Sequence, residues 1–322
     1  MIWDLAHIGA GLVLLILAGD VLVRGAVALA LRLGIPALIV GLTIVAFGTS
    51  APEMMVSVAA VLGNAPGIAL GNVVGSNTAN ILLVLGLPAL IANIPTDEHD
   101  MRKSYLTMLA GSVLFILLAF MGPFRWPHAL VLLIGLALVM GDQIRDALVH
   151  RARRAEVEAD APEIATADAA LSPLRIGLYI LAGLIGLPLA ADLLVTGASN
   201  MARAFGISEA VIGLTLVAVG TSLPELATSV TAAIKGRADV ALGNVVGSNI
   251  FNLLGIIGVA GLVGTLPVPP EMLRLDLWVM LGVSVLIAPF IFYRWPFRRL
   301  VGLGFLGIYA GYVVILMTGA AA

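Results

Sequence analysis

Two glutamates lie in the middle of long apolar stretches, where a charged side chain is energetically unfavourable. Glu53 ends the run Gly48-Thr-Ser-Ala-Pro-Glu53, and Glu225 ends the matching run Gly220-Thr-Ser-Leu-Pro-Glu225. A charge at the centre of a bilayer costs about 2.5–3.5 kcal/mol on insertion scales, so such residues usually line a cavity or an ion path. We therefore predict that both carboxylates take part in one polar site.

Hydroxyl groups and prolines accompany both glutamates. Threonine and serine stand four and three residues before each glutamate, on the same helix face, as Thr49, Ser50, Thr221 and Ser222. Pro52 and Pro224 each remove an amide donor and kink the helix, which frees backbone carbonyls in that turn. Carboxylate, hydroxyl and carbonyl oxygens favour hard cations such as Ca²⁺ or Na⁺ over zinc, copper or iron.

A second polar motif follows each glutamate, as Gly71-Asn-Val-Val-Gly-Ser-Asn-Thr-Ala-Asn80 and Gly243-Asn-Val-Val-Gly-Ser-Asn-Ile-Phe-Asn252. Side chains three and four residues apart share a helix face. This spacing predicts cavity-lining roles for Ser76, Asn80, Ser248 and Asn252. The glycines have the G-x-x-x-G spacing of closely packed helices. Asn72 and Asn244, near the helix starts, fit either a capping role or the site.

The composition places the whole chain in a membrane. The 322 residues are 61% hydrophobic and 11% charged, with a net charge of −2 and no cysteine, and the mean hydropathy is +1.10. Soluble domains carry about 25% charged residues, so an ordinary water-soluble enzyme is excluded. The charge balance does not indicate a nucleic-acid partner, and the lack of cysteine excludes disulfides and thiolate metal sites.

Ten membrane-spanning helices follow from the apolar runs, because each span needs about 20 mostly apolar residues. The predicted limits are 5–32, 37–62, 67–93, 103–122, 126–143, 173–202, 208–233, 239–264, 274–293 and 299–318. The first span lacks a basic segment before it, so we interpret it as a helix and not as a cleaved signal peptide. Residues 144–172 hold a cluster of charges and are predicted to be a linker loop.

The distribution of basic residues predicts the orientation. With the N-terminus outside, 14 lysines and arginines fall on the inner side and 3 on the outer side. Cytoplasmic loops carry an excess of these residues. We therefore expect a multi-pass membrane protein with both termini outside and the 144–172 loop in the cytoplasm.

The second half of the chain aligns on the first when Glu225 is placed on Glu53, without a gap from Asp20 to Gly86. In this repeat alignment residues 41–53 match residues 213–225 at 10 of 13 positions, and residues 69–80 match residues 241–252 at 10 of 12. Each half, 1–143 and 173–322, holds five predicted helices, an odd number, so the second half is expected to be inverted. Inverted repeats with interrupted helices are typical of secondary transporters. Asp20 and Asp192 also correspond, and a structural or gating role is favoured over a ligand role for both.

These doubled motifs resemble the paired alpha-repeats of the calcium:cation antiporter superfamily, specifically its prokaryotic sodium/calcium exchangers. The resemblance implies a Ca²⁺/Na⁺ antiporter of the prokaryotic cell (inner) membrane, without a cofactor. It also implies that the first and sixth helices slide across the others. It implies that Glu53 and Glu225 are shared ligands. The resemblance adds oxygens from Thr49, Ser50, Thr221, Ser222, Ser76, Asn80, Ser248 and Asn252, and the carbonyls of Ala46 and Ala218. One chain would contain the whole site, so function as a monomer is expected.

One departure from the family concerns the charge of the site. Many members carry an aspartate at one of the positions that Asn80 and Asn252 occupy here. Two glutamates balance one calcium ion but not three sodium ions, so electroneutral exchange, coupling to protons and weak sodium binding all stay open. The main alternative is therefore an antiporter of Ca²⁺, or another divalent cation, against H⁺. A passive channel, an intramembrane hydrolase and a structural protein explain the paired glutamates less well.

Overall fold

The computed structural model describes residues 2–96, 100–158, 171–205 and 218–319, and these residues are almost all helical. Within these described ranges, eight helices are long and apolar enough to cross a membrane, and one bent pair of helices forms a further candidate span. In chain order the helices are α1 (Ile2–Leu33), α2 (Ala37–Thr49), α3 (Ala51–Leu62), α4 (Pro66–Ile91), α5 (Arg102–Phe120), α6 (Trp126–Glu158), α7 (Pro173–Ala204), α8 (Ala218–Thr221), α9 (Leu223–Ile234), α10 (Ala238–Val263), α11 (Met272–Phe292) and α12 (Arg299–Gly319).

The predicted second span is broken at Ser50, between α2 and α3. The two helices meet at an angle of 41°, and Pro52 stands in the first turn of α3. A proline there lacks the amide that would continue the hydrogen-bond ladder of α2. Ser222 separates α8 from α9 in the same way, and Pro224 opens α9. Of the predicted span 208–233, residues 208–217 lie outside the described part of the chain.

The predicted linker loop begins later than residue 144. Helix α6 continues past the predicted end at residue 143 to Glu158. A helix need not end at the membrane surface, since charged side chains solvate the turns that emerge from it. Here Lys103 of α5 pairs with Asp142 and Asp146 of α6, each at 2.7 Å. The loop prediction was therefore wrong for residues 144–158, and residues 159–170 lie outside the described part.

The long helices α1 and α7 pack against each other along their length. Small residues allow this approach: a Cβ added at Gly11 would lie 2.8 Å from the backbone nitrogen of Leu194. Glycines let membrane helices approach closely without a large side chain between them. A larger core holds α4, α5, α10 and α11 together, with Tyr105, Met108 and Leu253 fully buried.

Short backbone pairings join the two halves of the chain at their loops. Ile94 pairs with Phe297 through two hydrogen bonds of 3.0 Å, and Phe124 pairs with Leu266 through two of 2.9 Å. Ile94 and Leu266 correspond when the repeat alignment is extended, and each pairing takes one segment from the first half and one from the second. These pairings fix the loops around the central helices α4 and α10.

Candidate ion-binding site

The two glutamates occupy the same place in two broken helices. Each is the third residue of the helix that follows the break, α3 for Glu53 and α9 for Glu225. Both residues are completely buried. The N-terminal end of a helix carries a partial positive charge, which stabilises a carboxylate in the first turn. The break therefore places each carboxylate inside the protein at the end of a helix that tolerates its charge.

Each broken helix contacts the opposite half of the chain. The Ser50 hydroxyl donates a 3.1 Å hydrogen bond to Oε1 of Glu225, and the Thr49 hydroxyl donates one of 3.1 Å to Oδ1 of Asn244. The other break makes a similar but longer contact between Ser222 and Ser76, at 3.5 Å. The predicted hydroxyl residues are thus brought together around both glutamates, and neither half alone contains the set.

Two asparagines hold the backbone of the glutamates in place. Nδ2 of Asn72 donates to the carbonyl of Glu53 at 3.2 Å and to the Ser57 hydroxyl at 3.0 Å. Nδ2 of Asn244 donates in the same way to the carbonyl of Glu225 at 3.3 Å and to the Ser229 hydroxyl at 3.2 Å. The structure therefore resolves the choice left open by the sequence: both asparagines belong to the polar centre.

Ser57 and Ser229 were missed by the sequence reasoning. A signal for them was present, because each stands four residues after its glutamate and the two fall on each other in the repeat alignment. Both are completely buried. A serine inside an apolar helix usually bonds to its own backbone, so the match between the halves was the informative feature.

The helices α4 and α10 meet at a reciprocal pair of asparagines. Nδ2 of Asn77 donates to the carbonyl of Asn249 at 3.1 Å, and Nδ2 of Asn249 donates to the carbonyl of Asn77 at 3.3 Å. Asn80 adds a bond of 3.0 Å to Oδ1 of Asn249. The reciprocal bonds cross between equivalent positions of the two halves, so this pair fixes how the second polar motifs face each other.

Several buried oxygens at this centre accept no hydrogen bond of normal geometry from the described residues. They are Oε1 and Oε2 of Glu53, Oε2 of Glu225, the Ser248 hydroxyl, Oδ1 of Asn80 and Oδ1 of Asn252. Leaving a buried polar group unsatisfied costs about 1–3 kcal/mol, and more for a charged group. A bound cation would satisfy these oxygens, whereas more hydrogen-bond acceptors would not.

The donor chemistry suits a hard cation held by two carboxylates and neutral oxygens. Among the described residues, no group of three or more histidines, aspartates or glutamates is placed to hold a metal. The Ser50 hydroxyl, three residues before Glu53, bonds to Glu225, so both carboxylates belong to one polar centre, where a positive charge is favourable. Oxygen ligands in numbers of about 6–8 are typical of calcium, and the hydroxyls and amides near the carboxylates supply the neutral part of such a set.

The carbonyls predicted at Ala46 and Ala218 belong to α2 and α8, close to the breaks. The carbonyl of Ala46 accepts the Ser50 amide at 3.1 Å and the Thr49 hydroxyl at 3.4 Å. In the second half the Ser222 amide bonds to the carbonyl of Val219, at 3.1 Å.

The fold and this polar centre define a class of protein, a multi-pass helical membrane protein with a buried, oxygen-lined centre shared by two halves of one chain. A family model described as "Sodium/calcium exchanger protein" matches residues 3–144 and 176–318. The chain therefore belongs to the prokaryotic sodium/calcium exchanger family, which is part of the calcium:cation antiporter superfamily. This family consists of membrane antiporters, not enzymes.

Named relatives match over most of their length. The chain is 37% identical to "Inner membrane protein YrbG" of Escherichia coli K12 over 89% of this chain and 88% of that one. It is 33% identical to "Sodium/calcium exchanger MaX1" of Methanosarcina acetivorans over 95% and 96%. A solved structure of the sodium-calcium exchanger NCX_Mj, soaked with Na⁺ and Sr²⁺, superposes with a TM-score of 0.83 at 33% identity and covers 98% of both chains.

Proposed function

We propose that this antiporter exchanges Ca²⁺ for Na⁺ across the membrane, with Glu53 and Glu225 as the shared ligands. The observation that carries the proposal is the pair of fully buried glutamates, one from each half, among buried oxygens that the described residues leave without a donor. The remaining proposed ligands are Thr49, Ser50, Thr221, Ser222, Ser76, Asn80, Ser248 and Asn252, with the carbonyls of Ala46 and Ala218.

The exchange follows from the charge of the site. Glu53 and Glu225 bring two negative charges together in a buried place, which one calcium ion neutralises. When calcium leaves, the two carboxylates repel each other. Another positive charge must therefore enter the site before the calcium-free protein can change back to its other conformation. Sodium ions or protons can meet this need, and the requirement links the outward and inward movements of the two cargo ions.

The movement itself is proposed to be alternating access in a ten-helix protein built from two inverted five-helix halves. The broken helices and the alignment of one half on the other support this arrangement, since transporter sites lie between inverted repeats near the bilayer midplane. The helices α1 and α7 are proposed to slide across the rest. Glycines such as Gly11 let these two helices pack closely against each other, which supports their movement as one unit.

Sodium is favoured as the coupling ion because two matched proteins, MaX1 and NCX_Mj, are named sodium/calcium exchangers. Protons remain the second candidate. Asn80 and Asn252 are neutral, so the proposed site has only two negative charges, and two protons would neutralise them as well as one calcium ion. Electroneutral exchange, with two monovalent ions for each calcium ion, is the stoichiometry that this charge count supports.

The protein is proposed to act as a monomer in the prokaryotic inner membrane, with both termini outside. Both glutamates and all the proposed ligands come from one chain, which supports a complete site in each monomer. The excess of 14 inner over 3 outer basic residues supports the orientation.

Calcium uptake into proteoliposomes tests the proposal directly. Purified protein is reconstituted, and uptake of radioactive calcium is measured with an outward sodium gradient, an outward proton gradient, or neither. The proposal expects uptake driven by the sodium gradient and abolished when sodium is equal on both sides. Uptake driven only by protons would replace sodium by protons as the coupling ion. Uptake that needs no gradient and saturates at equal concentrations would contradict an antiporter.

A further inference from the structure

The duplication provides an internal comparison for every contact between the mobile and fixed helices. Residues that correspond in the repeat alignment occupy equivalent places in the two halves. The surface along which α1 packs on α9, here called a seam, therefore has a counterpart between α7 and α3. A symmetric protein would make the same contacts at both seams. The two seams differ here, and the difference involves charged residues that the proposed ion site does not use.

The first seam, between α1 and α9, is closely packed. A Cβ added at Gly19 of α1 would lie 2.9 Å from the Thr231 hydroxyl and 3.3 Å from the carbonyl of Ala227. Ala227 is buried. Only a residue without a side chain permits this approach, so α1 is docked on α9 at backbone distance.

An ion pair closes the same seam. Lys235, at the end of α9, lies 2.6 Å from a carboxylate oxygen of Asp20 and donates a 3.2 Å hydrogen bond to the carbonyl of Asp20. Arg24 binds the other carboxylate oxygen at 2.9 Å. A lysine at the C-terminal end of a helix is also favoured by the helix dipole. Lys235 thus ties the end of α9 to both the side chain and the backbone of α1.

The counterpart seam, between α7 and α3, has none of these features. The residue equivalent to Lys235 is Gly63, and the one equivalent to Gly19 is Ala191. Met55 takes the place of Ala227 and is 71% exposed. Asp192, which corresponds to Asp20, is exposed and forms no hydrogen bond or ion pair with the described residues. This seam is neither docked nor able to form the same ion pair.

We infer that Lys235 and Asp20 form a one-sided latch that favours the state with α1 docked on α9 over the state with α7 docked on α3. The inference rests on the proposed alternating-access exchange, in which the two halves swap these arrangements. Release of Lys235 from Asp20 then precedes access to the ion site from the side of the membrane where Lys235 lies. The seam between α7 and α3, with Gly63 and Asp192, supplies no lysine to hold the opposite state.

The backbone conformations at positions 63 and 235 match, so a lysine can be introduced at the seam that lacks it. Gly63 has φ −80° and ψ 11°, and Lys235 has φ −81° and ψ 3°. A lysine at position 63 therefore adopts the conformation that Lys235 already has. In the state with α7 docked on α3, Gly63→Lys would face Asp192, the equivalent of Asp20. In the other direction, Lys235→Ala leaves Asp20 paired with Arg24, so the substitution does not strand a carboxylate.

Distances between spin labels measure the two seams separately. The chain has no native cysteine, so introduced pairs report without background. Leu17→Cys with Ile234→Cys follows α1 and α9, and Leu189→Cys with Leu62→Cys follows α7 and α3. These four side chains are 56–69% exposed, and the two pairs fall on each other in the repeat alignment. Double electron–electron resonance is recorded on the full-length protein in calcium-free lipid nanodiscs.

We expect the wild-type Leu17–Ile234 pair to give one dominant short distance. Lys235→Ala should move the ratio of short to long distances by up to about fivefold, the upper range for a partly exposed ion pair, while Lys235→Arg keeps the wild-type distribution. Gly63→Lys should shorten the Leu189–Leu62 distance and lengthen the Leu17–Ile234 distance. The control is Lys103→Ala, which removes ion pairs to α6 and should leave both distances unchanged.

Unchanged distances in both Lys235→Ala and Gly63→Lys would overturn the latch, as would an equal change in Lys103→Ala. The result is separable from the proposed function, because the distances are recorded without calcium. Shifted distances in a protein that fails to exchange calcium would retain the latch and refute the cargo. Normal sodium-driven calcium exchange with unchanged distances would refute the latch and retain the cargo.

Discussion

Asn72 and Asn244 show how single side chains position the candidate site. Each donates to the carbonyl of the glutamate in its own half and to a serine one turn later. Each glutamate lies in the first turn of its helix, where its carbonyl can accept a helical amide and still has a second lone pair for the asparagine amide. The orientation of the glutamate backbone, and with it the direction of the carboxylate, therefore depends on one amide group in each half.

Removing either asparagine should destabilise the protein and weaken its cation binding. Asn244→Ala should lower the free energy of unfolding by about 1–3 kcal/mol, because it strands buried groups, and Asn72→Ala should cost less because Asn72 is exposed on part of its surface. The measurement is thermal denaturation of the purified protein with and without calcium. Asn93→Ala, at an exposed position, is the control, and an equal effect of all three changes would refute the positioning role.

Asn252 sets the charge of the candidate site. Both polar atoms of its amide are buried and without a partner among the described residues. With two carboxylates the exchange should be electroneutral, so wild-type calcium flux should be equal at 0 and about −100 mV. Asn252→Asp adds one negative charge, and each charge moved across about 100 mV is worth about 2.3 kcal/mol. Flux through that variant should therefore depend on voltage. Strong voltage dependence in the wild type would contradict the charge count.

At the scale of helices, the approach of α10 to α2 depends on glycine. A Cβ added at Gly247 would lie 2.5 Å from the carbonyl of Leu42 and 2.7 Å from Cβ of Ala46. The carbonyl of Ala46 is one of the proposed ligands, so this contact supports the wall of the site. The packing role predicted for the G-x-x-x-G glycines is confirmed at Gly243 and Gly247 but was wrong for Gly71 and Gly75, where an added Cβ would meet no atom within 4 Å.

Gly247→Ala should therefore be far more harmful than an ordinary helical glycine substitution. Forcing a methyl group into this contact should lower the free energy of unfolding by about 1–3 kcal/mol and reduce calcium flux. Gly304→Ala is the matched control, because Gly304 is exposed on α12 with nothing within 4 Å of an added Cβ. Thermal denaturation and flux are compared for both variants. Equal stability of the two variants would contradict the close packing.

Helix positions and breaks were largely predictable from sequence, whereas helix ends outside the membrane were not. Pro52 and Pro224 predicted the breaks because proline removes a specific hydrogen bond. The end of α6 was placed at residue 143 because polar residues begin there, yet the helix continues to Glu158. Its emerging turns are supported by Lys103 from another helix, and such a tertiary contact leaves no periodic signal in the sequence of α6 itself.

At the scale of the whole molecule, the repeat made the site predictable. Pairing Glu53 with Glu225 required only the alignment of the two halves and the cost of charge in a bilayer. Contacts between the halves, such as Ser50 to Glu225 and Thr49 to Asn244, were not predictable, because the sequence does not show how the two halves meet. The same limit applies to the difference between the two seams at Lys235 and Gly63.

The distribution of basic residues predicts one orientation in the membrane. Single cysteines in the cysteine-free chain can report it at two exposed positions, Met121 and Leu148. A membrane-impermeant maleimide should label Met121→Cys in intact cells and label Leu148→Cys only after permeabilisation, because the excess of lysine and arginine marks the cytoplasmic side. The opposite labelling pattern would place both termini inside.

The central claim, that the two buried glutamates bind the transported calcium together, is tested most directly by sodium-driven calcium uptake into proteoliposomes containing single-site variants. Glu53→Gln and Glu225→Gln should each reduce uptake by at least about tenfold, since losing one of two charges from a buried cation costs more than the roughly 1.4 kcal/mol that a tenfold change represents. Glu271→Gln, at an exposed position, should transport like the wild type. Wild-type uptake by either buried-site variant would contradict the claim.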